Sequence, residues 1–498
     1  QERQMASIMR EIVWYLIFLF IVLSISYGNR DPYTQLVTNN VENVFLQASY
    51  NGSTKFDEIG STRDYWPWLK DTVIPSIFIE KWYNDQDYHL GYLADTPTAW
   101  VLAVARLRQL RMQKHTCPLL PALQHVIPSC NDFYSSDEEE RGMLLPGWKE
   151  PKTAWQYQTG EELKTFPYWG QKATYSAGGY VQVFPPSTAK NYDKAQALAD
   201  ALNENDWLDK YTRAVFTEFS IYNANSNLFC VVTLLIEQLP TGGIFKFPSI
   251  LTLRLYRYVG GEMFFVAACE IIYLLFTAYF IFREIKQAYK LGLDKLKNPW
   301  SILEIFVTCL SLSMVVLYFL RIKFTAEVVK DMRNDPTRFV SLHYTAFLDE
   351  WIKCLMGLIV FFSFIKIVRL LRFNRRMSLL AQTLKLCIPK IGAFVIVYGI
   401  AFFAYAQLAC LVFGQNAEGF MTIPRSAATL MDTLLGKFTL KEMSDINRLI
   451  GPTFFYIYTL SMIFILINMF MSIINDSFAE VNSDVSKQAN DYEIVDFM

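Results

Sequence analysis

Between Tyr398 and Glu480 the chain reads YGIAFFAYAQLACLVFG (398–414), RSAATLMDTLLGK (425–437) and PTFFYIYTLSMIFILINMFMSII (452–474). The first run is apolar to Phe413. The second is a short amphipathic segment, around Ala427 to Leu435, that ends in the glycine-bearing bend Leu434-Leu435-Gly436-Lys437. The third is almost uncharged. A long hydrophobic helix, a half-length dip and a second long helix is how a membrane protein builds a pore, because non-helical backbone at membrane depth is tolerated only where it is buried or lines water. The bend therefore reads as a filter loop, and Pro452 to Ile474 as a pore-lining helix.

The rest of the composition fits spans joined to a large aqueous domain. The 498 residues are 52% hydrophobic and 16% aromatic, with 39 Phe and 28 Tyr. A mean hydropathy of +0.19 is high for a soluble protein and low for one that is all membrane. The net charge of −1 provides no global field for nucleic acid. Phosphate loops, metal clusters and nucleophile–base constellations are not found, and His89, His115, His125 and His343 are scattered, so an enzyme is not expected. The chain begins at Gln1 without an initiator Met or a signal peptide, and is expected to be part of a longer protein.

Taken in order, Ile12 to Tyr27 is apolar between Arg10-Glu11 and Arg30; extended back to Ile8, it approaches the roughly 20 residues a span requires. From Gly28 to about Tyr258, Pro, Gly, Asn, Asp and Trp are frequent and no run is long enough to cross a bilayer. Ala103, Ala105 and Leu107 alternate with Val104, Arg106 and Arg108 as in a strand. Ser187 or Thr188 is expected to cap a helix carrying Tyr192, Ala195, Ala199 and Leu202. Leu228 to Ile236 reads as a buried strand followed by a turn at Pro240-Thr241-Gly242-Gly243. Cys117 and Cys130 are the only cysteines between Gly28 and Ser220. A disulfide is the plain reading if this region is extracellular, and nearby His115 and His125 leave a metal site conceivable. Asn51-Gly52-Ser53 is a glycosylation sequon under the same condition.

Met263 to Phe282 forms a second span with Glu270 near its middle, and Trp300 to Leu320 a third with Glu304 near one end. A mid-membrane charge costs about 2.5–3.5 kcal/mol on insertion scales, so these carboxylates are expected to be counter-charges. The cations are found in a fourth span, Trp351 to Phe373, where Lys366, Arg369 and Arg372 recur every third residue as a voltage-sensor-like stripe. Snorkelling anchors are the bland reading, preferred for Arg375 and Arg376. The links carrying Arg283, Lys286, Lys290, Lys295 and Lys297, and Arg375, Arg376, Lys385 and Lys390, should be cytoplasmic. The N-terminus is then inside, the 28–258 region outside and the acidic C-terminal tail inside. Pro389 marks the entry to a fifth span that Gly414 ends. Six spans with one re-entrant loop require four such units to close a pore.

Several long stretches are similar to the polycystin family of TRP-like channels: TRAVFTEFSIYNANSNLFCVV (212–232), FFVAACEII (264–272), FAYAQLACLVFG (403–414) and ILINMFMSIINDSFAEV (465–481). IKIVRLLRFNRRMSLL (365–380) and ANDYEIVDFM (489–498) resemble its polycystin-1-like branch. The resemblance implies an α-helical polytopic membrane protein of six transmembrane helices: a voltage-sensor-like four-helix domain plus a two-helix pore domain with a re-entrant loop. It further implies an α/β extracellular polycystin (TOP) domain between the first and second spans. The expected divisions are 1–27 for the first segment and helix, 28–258 for the extracellular domain and 259–374 for helices 2–4. A linker helix at 375–390, a pore domain at 391–476 and a cytoplasmic tail at 477–498 follow. The Cys117–Cys130 spacing resembles the family's disulfide loop.

Polycystin-2-type filters read Leu-Gly-Asp, and the aligned residues here are Leu435, Gly436 and Lys437. Four ammonium groups facing one another at ~8 Å, at an effective dielectric of ~20, would cost ~2 kcal/mol per pair and repel entering cations. The expectation is therefore a heterotetramer in which this chain is a minority beside polycystin-2-like subunits. The alternative orientation turns Lys437 away to pair with Glu442 or Asp445. Asp432 is a candidate pore-mouth carboxylate. The resemblance sets the lower gate at Met471 and Asn475, and Asn468 and Asn475 share one face of an otherwise apolar helix. The function expected is a pore-forming subunit of a non-selective channel passing calcium and sodium, weakly voltage dependent, in the plasma membrane or a cilium. It would need no cofactor and would carry an N-glycan at Asn51. A non-conducting receptor or assembly subunit is the alternative.

Overall fold

The computed structural model describes every residue except 1, 49–53, 80–91, 94, 95, 115, 118, 124, 128, 129, 145–151, 257–261, 293–298, 336, 337, 371–374, 438, 439 and 488–498. Asn51, His89, His115 and Arg372 thus lie outside the described residues. The chain divides into two compact units, residues 1–363 and 364–498.

The first unit begins with helix α1 (Glu2–Gly28). Its aqueous part is an antiparallel sheet of β1 (Tyr92–Leu93), β2 (Thr96–Arg111), β3 (Tyr157–Gln158), β6 (Gly179–Val183), β7 (Thr212–Asn223), β8 (Leu228–Gln238) and β9 (Ile244–Leu253). The order is β3-β6-β2-β7-β8-β9, with β1 on β2; β4 (Tyr168–Trp169) and β5 (Thr174–Tyr175) form a separate ribbon. Helices α2 (Thr34–Glu42), α3 (Thr62–Trp68), α4 (Ile74–Ile77), α5 (Gly160–Leu163) and α6 (Tyr192–Glu204) accompany it. Leu107, Val215, Phe219 and Leu234 pack on one face with Phe45, Trp68, Ala199 and Trp207. The two buried indoles are satisfied: Trp68 Nε1 donates to the Phe45 carbonyl at 3.1 Å, and Trp207 Nε1 to that of Ala154 at 3.0 Å. Truncating either to Ala would cost about 3–5 kcal/mol.

Antiparallel sheets commonly leave one face wet. Here the second face is covered as well. Leu110, Phe216 and Leu235 meet Tyr168 and Tyr175 of the ribbon, and Phe229, Val231 and Leu253 meet Leu342 and Ala346. The expected strand at Ala103–Arg108 is the middle of β2, interrupted by a bulge. Between Leu102 and Arg106 the strand advances four residues while its partner β7 goes from Ser220 to Glu218, two residues. Ala103 takes φ +54° to allow it. The predicted turn is present, with Gly242 at φ +87° and its N–H donating to the Leu239 carbonyl at 3.0 Å. The predicted cap is not. A 3₁₀ turn, Ala189–Asn191, precedes α6, whose N-cap is Asn191. The Ser187 hydroxyl instead donates to the Ile77 carbonyl.

Helices α7 (Glu262–Leu291), α8 (Pro299–Asn334) and α9 (His343–Leu370) follow. At about 1.5 Å per residue, the 36 residues of α8 run to about 54 Å, well beyond a hydrocarbon core of about 30 Å. The 14 residues beyond Leu320 carry charge and dock on the aqueous part: Lys164 pairs with Asp331, and Phe166 meets Phe324 edge-on with ring centroids 6.5 Å apart.

In the second unit α10 (Arg375–Phe413) is one helix, so the expected linker and fifth span are continuous and Pro389 lies inside it. After Gly414 come α11 (Ile423–Leu434), α12 (Leu440–Ile446) and α13 (Ile450–Lys487). Among the described residues four helical stretches are long and apolar enough to cross a membrane: Phe264–Lys290, Trp300–Asn334, Leu386–Phe413 and Ile450–Val481. The first expected span is helical, with an apolar stretch of 17 residues, Ile12–Gly28, and the described part of the fourth lies on α9 with Lys366 and Arg369.

Candidate functional site: the pore loop and its charges

The second unit is held by one core, in which Ala406, Ala409 and Phe413 of α10 meet Leu430 of α11, Met443 of α12 and Phe454, Tyr458 and Met462 of α13. Small residues on α10 let the aromatic rings of α13 approach. The Tyr458 hydroxyl donates to the Leu430 carbonyl at 2.9 Å and fixes α11 against the long helix. Thr422 caps α11 and Pro424 occupies its first turn, where a missing N–H costs nothing. The Ser426 hydroxyl donates back to the Phe420 carbonyl at 3.1 Å, and Thr429 to that of Gly419 at 2.9 Å. The half-length helix is thus hydrogen-bonded at its entry and packed along the Ser426, Leu430 and Thr433 face.

Its exit is the predicted bend. The Gly436 N–H donates to the Thr433 carbonyl at 3.1 Å, and the Lys437 N–H to that of Asp432 at 2.9 Å. Gly436 sits at φ +97°. These two crossed bonds around a positive-φ glycine form a standard helix stop, which satisfies the carbonyls α11 leaves open. In this motif the residue after the glycine commonly makes an apolar contact with the residue five before it. Here that contact is ionic: Lys437 Nζ lies 3.5 Å from Asp432 Oδ2, with side chains 77% and 50% exposed. The partners weighed from sequence, Glu442 and Asp445, are not those seen; Asp432 takes that place. Leu435, Gly436 and Lys437 are all exposed on the unit's surface. Along α13, Asn468, Met471 and Asn475 are exposed too, among apolar side chains such as Leu460 and Phe464.

The sensor-like positions are described in part. Lys366 is half-buried on α9, and Arg369 lies on the same helix. Glu304 pairs with Arg283 at 3.2 Å. Glu270 accepts hydrogen bonds from Asn29 Nδ2 and the Tyr318 hydroxyl, each at 3.3 Å. A buried acid that the sequence reading missed is Asp349, which meets Arg321 at 3.0 Å and Lys353 at 2.8 Å. The i,i+4 spacing of Asp349 and Lys353 was its only signal.

In the aqueous part, the bulge in β2 sets Arg106 opposite Glu218 at 2.5 Å, with Arg108 at 3.5 Å. Phe339 covers the Arg106 guanidinium at 3.8 Å, and Phe216 that of Arg108 at 3.8 Å. Burial alone would raise the Glu218 pKa, but the two guanidiniums win and hold it at about 2. Burial pushes His343 the other way, below its usual range, against the pull of Glu218. Cys117 and Cys130 are bonded, with Cα atoms 5.6 Å apart. His125 is exposed, and among the described residues no group of three His, Cys, Asp or Glu side chains could hold a metal.

Residues 257–481 match a family model described as "Polycystin cation channel", and residues 55–256 one described as "Polycystin domain". Human polycystin-2-like protein 1 is 33% identical over 100% of this chain and 61% of its own length. Human polycystin-2-like protein 2 is 30% identical over 98% of this chain and 77% of its own. Mouse polycystin-1-like protein 3 is 24% identical over 98% of this chain and 22% of its own. The chain therefore spans about three fifths of the first of these relatives. These identities place the chain nearer the polycystin-2-like relatives than the polycystin-1-like branch suggested by the basic fourth span and the tail.

Proposed function

Because the chain belongs to the polycystin family, we propose that it is a pore-forming subunit of a non-selective, calcium-permeable cation channel in the plasma membrane. The observation that carries the reading is the second unit. Two long apolar helices, α10 and α13, bracket a half-length helix that stops at Gly436 and leaves Lys437 exposed. Six spans (α1, α7, α8, α9, α10 and α13) then cross the bilayer, with both ends cytoplasmic and residues 28–258 outside. Leu435, Gly436 and Lys437 form the filter, with Asp432 at its mouth. Met471 and Asn475 form the lower gate. Lys366, Arg369 and Arg372 supply weak voltage sensitivity against Glu270 and Glu304, at about 2.3 kcal/mol per charge per 100 mV.

In this reading Lys437 makes the chain a minority member of a heterotetramer with polycystin-2-like subunits, where one ammonium only dents a ring of carboxylates. The pair with Asp432 favours a second reading, a homotetramer in which each loop neutralises itself. Co-purification of this chain with and without a polycystin-2-like chain, with subunit counting and single-channel recording, separates them. The first reading expects calcium current only from the mixed assembly; robust calcium current from this chain alone selects the second. No current in either case removes both.

A further inference from the structure

The first unit encloses a cavity of about 860 Å³ beneath the aqueous sheet, between the ends of α1, α7, α8 and α9. That volume falls in the range of small-molecule sites, roughly 300–1,000 Å³. Its wall changes character from one end to the other. Asn29, Thr38 and Thr252 lie toward the sheet, whereas Leu274, Met314 and Phe319 lie among the spans. Such a gradient fits an amphiphile lying with its head toward water and its body toward lipid.

The charges in the wall decide the kind of head. Asp31 is paired with Arg254, and Asp349 with both Arg321 and Lys353, while Arg30 and Glu42, of opposite sign, also line the wall. A charged guest would displace a member of one of these pairs and leave the other uncompensated in a poorly solvated wall. An uncharged head meets no such penalty. Glu270 accepts from Asn29 Nδ2 and the Tyr318 hydroxyl at 3.3 Å, the long end of hydrogen bonding, and the Thr38 and Thr252 hydroxyls are 2.7 Å apart. Glu270 can accept from a hydroxyl or an amide, and the two threonine hydroxyls can accept or donate.

We propose that this cavity binds an uncharged, single-chain amphiphile from the outer leaflet of the bilayer. Its hydroxyl or amide head lies by Asn29, Thr38 and Glu270, and its hydrocarbon body against Leu274, Met314 and Phe319. The proposal rests on the membrane reading above but not on conduction.

The test uses the full chain in phosphatidylcholine nanodiscs with a hexadecanol bearing a diazirine and an alkyne. Photolabelling is expected on α7 and α8 around Leu274, Met314 and Phe319. Unlabelled hexadecanol should compete, and palmitate and hexadecyltrimethylammonium should not. Ala267→Phe, which fills the cavity from α7, should reduce this labelling at least fivefold. Met314→Trp is the second filling variant, and thermal unfolding shows which of the two is folded. Labelling unchanged in a folded filling variant, or equal competition by either charged amphiphile, overturns the proposal. A chain that labels as expected and passes no current keeps the site and loses the channel.

Discussion

Lys437 meets two opposing demands. As the residue after a helix-stopping glycine, it stands at the negative end of α11 beside Asp432, where a cation is favourable. As the filter residue proposed above, it would oppose the ions the pore carries. The aspartate found in the Leu-Gly-Asp pattern would reverse both signs, adding a carboxylate next to Asp432 at the negative end of the helix. Glu442 and Asp445 were weighed as partners because they follow closely in sequence; the crossed hydrogen bonds at Gly436 bring Asp432 close instead. Glu218 is the comparable residue of the aqueous domain. Its folded pKa is depressed from the ordinary 4.5 to about 2. The stability it contributes is therefore present above the unfolded value and lost as pH falls from about 4.5 toward 2. The shift corresponds to about 3 kcal/mol. Glu218→Gln should lower the thermal unfolding midpoint of the full chain at pH 7, and the gap from wild type should close as the pH approaches 2. A gap that stays constant over that range would show that the carboxylate's charge contributes nothing.

The elements were legible to the extent that their periodicity was simple. The sheet strands at Ala103–Arg108 and Leu228–Ile236, the turn at Gly242 and the half-length helix before Gly436 follow from alternation, apolar runs and glycine position. The bulge in β2 was not legible. A two-residue slip leaves the alternation on either side intact, so nothing in the sequence shows that Arg106 and Arg108 face a buried Glu218. The length of α8 was missed for a related reason. Its charged last turns look like a loop to a membrane reading, but the aqueous domain supplies the surface they dock on. Pro389 looks like a boundary in sequence, and α10 absorbs it. Gly414 was read as a stop and is one, for a reason of space. A Cβ there would stand 2.2 Å from the Cys410 carbonyl oxygen and 2.8 Å from that of Phe420. Gly414→Ala should therefore loosen the junction of α10 with the Glu418–Phe420 turn at a cost of about 1–3 kcal/mol. It should appear as a lowered unfolding midpoint, whereas Gly392→Ala, with open space around its Cβ, should not lower it.

At the scale of the whole molecule, a single chain leaves much apolar surface bare along α10 and α13, including Ile400, Phe403, Leu460 and Phe464. Lipid and neighbouring copies are the natural covers for such surface, and the polar Asn468 and Asn475 within it call for water or protein. The membrane class, the separate β-rich domain and the position of the half-length helix with its glycine bend were readable from composition and run length. Assembly was not, because charge at one loop position gives opposite answers according to its neighbours: Lys437 alone argues for mixed company, and Lys437 with Asp432 argues for none. The account's central claim is that this loop faces the permeating ions. It is tested most directly by the calcium-to-sodium permeability ratio, from reversal potentials, of channels containing wild-type chain or Lys437→Asp. The claim predicts a severalfold rise in that ratio for Lys437→Asp, with subunit count unchanged; an identical ratio in the two channels would contradict it.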